Sequence, residues 1–149
     1  MDNTVELQRQ VVAKHFELEN AHQWSGVVDT FRGHDSCFEL VPAGARLAGR
    51  EGIASAYDIL STALPDVQIR IVSETDSLGC SVREISVTGT HQGEYFGIAP
   101  SGRSIRIEMA CFFLFDEEGE LVTERVYFDN ATLMAQMRGD AGASQGLGL

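Results

Sequence analysis

The sequence has little of what marks several common protein classes. Its three cysteines, Cys37, Cys80 and Cys111, are odd in number and show no C-x-x-C spacing. The sequence therefore predicts neither a disulfide framework nor a zinc site, and we interpret the cysteines as buried, reduced thiols. Lys and Arg number 11 against 22 Asp and Glu, for a net charge of −11. Few cations are left to contact phosphates, which argues against nucleic acid as a partner.

Long apolar runs and targeting signals are also missing. No apolar run approaches the roughly 20 residues that a membrane-spanning helix needs, so we predict no membrane partner. The first residues, M-D-N-T-V-E-L-Q, carry acids where a secretory signal carries bases, and no apolar segment follows. We therefore expect a cytoplasmic protein.

Motifs for nucleotide, nucleophile and metal chemistry are not found either. Gly93, Gly97 and Gly102 lack the strand-to-helix context and the G-K-[ST] of a phosphate-binding loop, so hairpin turns explain them better. No G-x-S-x-G nucleophile motif occurs. The four histidines are scattered without metal-ligand spacing. We expect neither a metal nor a cofactor.

What is present fits one globular domain. The chain has 149 residues, of which 44% are hydrophobic and 22% charged, and a chain of this size buries enough surface for one core. We place the domain at residues 1–138. The Gly/Ser-rich segment 139–149 is predicted to be a disordered tail.

Apolar residues recur at helical spacing in the first half of the chain. Asn3 followed by Glu6 resembles a capping box at the start of a long helix that ends near residue 22. A second helix is predicted over 24–31 and a third up to Pro65, which stops it. Between these helices we predict a short strand over 36–41 and a turn over 42–49.

From Val67 the apolar period changes to two residues, which is typical of strands. Strands are predicted from Val67, over 80–92, over 104–115 and over 121–128, joined by turns, with a final helix from Asp129 to about Met137. The middle of the strand 104–115 is apolar on both faces. Because one face packs on the helices, we predict that a second copy covers the convex face in a homodimer.

Three segments of the sequence carry a resemblance to one protein family. They are G-T-H-Q-G-E-Y-F-G-I-A-P-S-G-R at 89–103, the D-E-E-G turn, and V-Y-F-D-N-A-T-L-M-A-Q-M at 126–137. They resemble the SnoaL-like polyketide cyclase and ester cyclase family of the nuclear transport factor 2-like superfamily, nearly as far as Arg138. The resemblance implies an α+β fold, a cone-shaped curved antiparallel sheet with N-terminal helices on its concave face. The same fold serves cyclases, isomerases, dehydratases, epoxide hydrolases and binding proteins, so it does not fix the reaction.

The sequence departs from the family where catalysis is expected. In the antibiotic-pathway cyclases that it resembles, an aspartate on the last strand and a histidine on the preceding strand act on an enolisable polyketide without metal or cofactor. The corresponding positions here are Val126 and Cys111. The resemblance therefore implies the cyclase scaffold without that acid/base pair.

Two other residues are candidates for catalysis. Glu124 shares strand parity with Val126, so if Val126 faces the cavity, Glu124 does too. A carboxylate among apolar neighbours takes up a proton more readily than a solvated one, as a general base must; the alternative is an ion pair with a base on a neighbouring strand or subunit. His91 shares the parity of Val87 and could hydrogen-bond a carbonyl oxygen of a substrate. Its alternative is a structural histidine.

Other residues are expected to form the wall of the pocket or to stabilise the fold. Asp129 precedes the last helix, where we expect it to cap the helix rather than to catalyse. The predicted pocket-lining residues are His15, Trp24, Met109, Cys111, Phe113, Val126 and Phe128.

Two functions remain open. The first is a cofactor-free acid/base enzyme, of the cyclase or isomerase type, acting on a small apolar, enolisable, polyketide-like metabolite. The second is a non-catalytic dimer that binds such a metabolite and has lost the acid/base pair.

Overall fold

The computed structural model describes residues 3–144 and 146. It confirms the three N-terminal helices, the four long strands and the final helix. The elements are α1 Thr4–Asn20, α2 Trp24–Asp29, β1 Cys37–Leu40, a 3-10 turn Val41–Ala43, β2 Ala45–Ala48, α3 Gly49–Ala63, β3 Gln68–Ser77, β4 Cys80–Thr90, β5 Ser104–Phe115, β6 Leu121–Phe128 and α4 Asn130–Arg138.

The strands form one curved, six-stranded sheet in the order β2-β1-β6-β5-β4-β3, which confirms the α+β fold class. Neighbouring strands are antiparallel, except that β1 runs parallel to β6. The pattern of successive hairpins does not predict this parallel pair, because β1 and β6 lie far apart in sequence. The predicted turn over 42–49 was wrong at Ala45–Ala48, which pairs with β1 as an edge strand. Its sequence, A-R-L-A, has too little β-branched or aromatic character to predict a strand.

Residues of alternate parity on β5 divide between the two faces of the sheet. Ile105, Ile107, Cys111, Phe113 and Phe115 are buried on the concave face under the helices. Their neighbours on the convex face are only half-buried in the single chain. Register shifts at Ile71/Ser73 and Leu114/Phe115 add to the twist, as β-bulges do.

Side-chain amides fix α1 to the sheet. Gln8, near the start of the helix, donates to the carbonyl of Ser77 at 3.0 Å and accepts the N–H of Gly79 at 2.9 Å. Asn20, at its end, donates to the carbonyl of Ile69 at 3.0 Å and accepts the N–H of the same residue at 2.7 Å. The face of α1 between these two contacts is thereby held at a fixed height over the concave side of the sheet.

The structure bears on the predicted capping box at the start of the chain and on part of the predicted tail at its end. Asn3 is the N-cap of α1, but its side chain makes no capping hydrogen bond, so the predicted capping box was wrong. The Asn3 backbone carbonyl accepts the N–H of Leu7 instead. Of the predicted tail, residues 145 and 147–149 lie outside the described residues. Within the described part of the chain, no helix has the length and hydropathy to cross a membrane.

Candidate active site

A cavity lies between the concave face of the sheet and the helices α3 and α4. The volume of the cavity that the centre of a water molecule can occupy is about 80 Å³. Its wall is mostly aliphatic and aromatic, and four side chains on it carry a carboxyl or a phenol group: Glu19, Tyr57, Tyr95 and Glu124. An apolar cavity with few polar groups is the usual form of a small-molecule site.

Glu124 lies in the middle of β6, between Phe38 on β1 and Phe113 on β5. Its side chain is 5% exposed. The Tyr57 hydroxyl donates to Oε1 at 2.5 Å, and His15 Nε2 lies 3.0 Å from the same oxygen. Among the described residues, none donates a hydrogen bond to the second oxygen, Oε2. One oxygen is therefore fixed by the protein and the other is left for a ligand.

The contacts of His15 fit the doubly protonated ring. The Thr30 hydroxyl donates its single proton to the carbonyl of Val27 at 2.6 Å and lies 2.9 Å from His15 Nδ1. It can therefore only accept from Nδ1–H. Nε2 faces the carboxylate of Glu124, so it too must carry a proton to make a favourable contact. Burial lowers the pKa of His15, but the carboxyl groups of Glu124 and Glu19 outweigh it, and the net pKa is raised.

Glu19 lies one helical turn after His15 on α1. Its side chain is 4% exposed, and Oε2 lies 3.6 Å from His15 Nε2. Burial raises the pKa of Glu19, His15 lowers it and Glu124 raises it further, to about 8. Burial therefore favours the neutral, protonated form of the Glu19 carboxyl group. We call His15, Glu19, Tyr57 and Glu124 the His15 cluster.

The phenol of the cluster and one thiol beside it are also protonated. Burial, followed by the charge of Glu124, raises the pKa of Tyr57 and of Cys111 well above their ordinary values. The phenol therefore stays a hydrogen-bond donor, and Cys111 forms part of the wall as a thiol rather than an activated nucleophile. All three cysteines are free, and Cys37 and Cys111 are buried.

The structure brings most of the predicted pocket residues together. Met109, Cys111, Val126, Phe128 and the candidate base Glu124 line the cavity. Cys111 is paired with Val126, and Met109 with Phe128, across β5 and β6.

The other three predicted pocket residues lie behind the wall. His15 contacts Glu124 from behind, and the ring of Phe113 meets His15 edge-on at 5.1 Å. The ring of Trp24 stacks on Tyr57 at 6.0 Å. They support the polar groups of the wall rather than forming it.

His91 is not placed with Glu124. It follows the end of β4, where its backbone bonds to Gly102 and Arg103, and the ring is fully buried outside the lining of the cavity. Its Nδ1 accepts the N–H of Ser101 at 3.3 Å, and its Nε2 has no hydrogen-bond partner among the described residues. The structure thus gives His91 no contact with the candidate base.

Asp129 caps α4. Its Oδ1 accepts the N–H of Thr132 at 3.0 Å, and its Oδ2 accepts the hydroxyl of the same residue at 2.6 Å. These hydrogen bonds lower the pKa of the carboxyl, and the residue lies outside the cavity lining. In the described part of the chain, no three His, Cys, Asp or Glu side chains form a group suited to a metal ion.

Sequence reasoning missed Glu19, Tyr57 and Thr30. A signal existed for Glu19, because His15 and Glu19 are four residues apart and so share a helical face. A weaker signal existed for Tyr57, since a tyrosine on the apolar face of α3 needs a partner for its hydroxyl. Nothing in the sequence indicates that Thr30 meets His15.

The chain matches one family model and several solved structures. The family model for SnoaL-like polyketide cyclases matches residues 9–137. A comparison with curated proteins gave no significant match. A candidate SnoaL-like polyketide cyclase from Jannaschia sp. CCS1 superposes with a TM-score of 0.83 at 16% identity, over 92% of this chain and 95% of that one.

Two further solved structures share the fold. A candidate polyketide cyclase from Xanthomonas campestris pv. campestris has a TM-score of 0.78 at 20% identity, over 90% of this chain and 98% of that one. A protein with a ketosteroid isomerase-like fold from Catenulispora acidiphila has a TM-score of 0.71 at 16% identity, over 86% and 92%. These identities are too low to carry more than the fold, but the family model spans most of the sequence. The protein belongs to the SnoaL-like polyketide cyclase family.

Proposed function

We propose that the protein is a cofactor-free enzyme that moves protons on a small, largely apolar, enolisable substrate, as a cyclase or an isomerase. The observation that carries the proposal is the carboxylate of Glu124. Tyr57 and His15 hold its Oε1, and Oε2 is left without a donor on the wall of an apolar cavity. Membership of the SnoaL-like polyketide cyclase family agrees with this class of reaction.

The chemistry starts with Glu124 as general base. Its Oε2 takes a proton from a carbon next to a carbonyl group, and the C–H electron pair moves into the carbonyl to give an enolate. In a cyclase the enolate carbon then bonds to a second carbonyl carbon, whose C=O π bond opens to an alkoxide that takes up a proton as Glu124 gives one up. In an isomerase Glu124 returns the proton to another carbon of the enolate. Tyr57 and His15 keep the carboxylate oriented, and the apolar wall limits access of water to the enolate.

The base comes from a different position than in the cyclases that the sequence resembles. Val126 and Cys111 occupy the positions of the expected acid/base pair, and both line the cavity as apolar groups. Glu124 lies two residues before Val126, on the same face of β6. Loss of the expected pair favours the alternative, a non-catalytic binding protein, and the next experiment separates the two functions.

Replacing Glu124 with glutamine is expected to abolish proton abstraction. The measurement is NMR of hydrogen–deuterium exchange in a panel of 1,3-dicarbonyl compounds and aromatic ketones in heavy water. We expect the wild-type protein to exceed the buffer rate and the Glu124→Gln variant to lose about 10²–10⁴-fold, the usual contribution of a general base.

A matched control is Glu117→Gln, at an exposed position in the turn before β6, which should leave exchange unchanged. Exchange by the wild type that survives in Glu124→Gln would remove Glu124 as the base. Binding of these compounds without any exchange would support the binding protein instead.

We also propose that the enzyme is a homodimer through the convex face of the sheet. Tyr127 is 44% exposed there, and its ring meets Phe112 edge-on at 5.6 Å. Light scattering should give about twice the chain mass of 16.3 kDa. Tyr127→Glu should shift the protein toward the monomer, because it buries a charge in the interface. A wild-type protein that is monomeric at high concentration would contradict this.

A further inference from the structure

We propose that Glu19 is the proton donor of this site, a carboxylic acid that protonates the substrate oxygen while Glu124 removes the carbon-bound proton. This inference rests on the proposed function and adds a second catalytic residue to it. It assigns one carboxyl group as the acid and the other as the base.

The carboxyl group of Glu19 makes no hydrogen bond with any residue that the structure describes. Glu19 lines the cavity and is buried. Its carboxyl group lies 3.6 Å from His15 Nε2, which is too long for a hydrogen bond. A buried polar group without a partner needs an explanation. A substrate oxygen in the cavity would provide the missing partner.

The charges around Glu19 also favour a protonated carboxyl group. His15 faces it from α1, Glu124 from β6, Tyr57 from α3 and Cys111 from β5. Of these groups, His15 alone is a cation, and its Nε2 lies closer to Glu124, at 3.0 Å. One imidazolium cannot balance two buried carboxylates, so one of the pair keeps a proton. Glu124 already accepts hydrogen bonds from Tyr57 and His15, whereas burial raises the pKa of Glu19 to about 8, so Glu19 is the carboxyl group that we assign the proton.

With Glu124 as the base and Glu19 as the acid, every proton and electron pair of the enolisation step is accounted for. Glu124 Oε2 gains the α-proton as the C–H bond breaks, the electron pair forms the C=C bond of the enol, and the carbonyl oxygen takes the proton of Glu19. Glu19 becomes a carboxylate and Glu124 a carboxylic acid. Returning the proton from Glu124 to carbon, and that of the enol to Glu19, restores both groups without a net change of protons. Two carboxyl groups whose environments separate their protonation states are a general solution for acid/base chemistry near neutral pH.

The test is the pH profile of exchange in Glu19→Gln beside the wild type. Glutamine keeps the size and a hydrogen-bond donor but has no proton to transfer. We expect the wild-type rate to fall above about pH 8, as Glu19 ionises. The variant should be about 10²–10⁴-fold slower at neutral pH, the usual contribution of a general acid, and the fall of its rate near pH 8 should be gone. Glu17→Gln, on the exposed side of the same helix, is the matched control and should retain the wild-type profile.

A second measurement does not depend on activity. Infrared difference spectra between pH 6 and pH 10 should show the C=O stretch of a protonated carboxyl that disappears near pH 8 and is absent in Glu19→Gln. An exchanging protein without this band, or one whose profile is the same in Glu19→Gln, would overturn Glu19 as the donor. A band that titrates as expected in a protein that never exchanges would refute the proposed function and show that Glu19 is merely a buried acid. Thermal melts of each variant establish that a slower rate does not come from unfolding.

Discussion

Replacing His15 with leucine is expected to lower the free energy of unfolding by about 3–5 kcal/mol at neutral pH, the usual cost of removing one partner from a buried ion pair. His15 is fully buried, and its Nε2 lies 3.0 Å from Glu124 Oε1. Without the imidazolium, the carboxylate of Glu124 keeps the Tyr57 hydroxyl but loses its only close positive charge among the described residues. Urea unfolding followed by circular dichroism measures the change.

The double variant His15→Leu with Glu124→Leu separates charge from packing. Replacing both partners of a buried pair with apolar groups is often close to neutral, so the double variant should recover most of the lost stability. If it is as unstable as His15→Leu alone, the loss comes from packing against rings such as Phe113 rather than from the unpaired charge.

Replacing Arg83 with methionine is expected to lower the free energy of unfolding by about 3 kcal/mol, the lower end of the range for a broken buried pair. Arg83 is 2% exposed. Its guanidinium donates to Asp76 Oδ1 at 3.0 Å and to the carbonyl of Val82 at 2.9 Å. The lower end applies because Arg9 lies 3.3 Å from Asp76 Oδ2 and still compensates part of its charge.

Arg50→Met is the matched control for burial. Arg50 lies 2.7 Å from Asp29 Oδ1, a shorter distance than in the Arg83 pair, but the two side chains are 64% and 60% exposed. Solvent screens such a pair, so the loss should be at most about 1 kcal/mol. Equal losses in Arg50→Met and Arg83→Met would contradict the assignment of the Arg83 effect to burial.

The elements that could be predicted are those that local patterns determine. The strands from Ser104 to Phe115 and from Leu121 to Phe128 are rich in β-branched and aromatic residues and are bounded by turn residues, and the structure has them with these bounds. The edge strand at Ala45–Ala48 could not be predicted, because only its pairing with β1 makes it a strand. The parallel contact between β1 and β6 is likewise a matter of tertiary packing.

Local patterns likewise predict only a part of the candidate site. Strand parity places Glu124 on the face of Val126, and the structure puts both on the cavity wall. The alternative for Glu124 was an ion pair with a base on a neighbouring strand or subunit. The structure has an ion pair at Glu124, but its cation is His15 on a helix. That contact joins residues more than 100 positions apart in sequence, and no local pattern carries it. The position of His91 could not be predicted from strand parity, because β4 ends at Thr90, one residue before it.

The amide of Asn20 also bears on how the protein avoids aggregation. β3 is an outer strand of the sheet, and an outer strand offers free backbone groups to any passing chain. Asn20 occupies both the N–H and the C=O of Ile69, and His22 Nε2 lies 2.7 Å from the carbonyl of Val67. Together they take the place of a seventh strand over this stretch. An incoming strand would first have to displace these side chains, so strand addition is opposed at this end of the sheet edge.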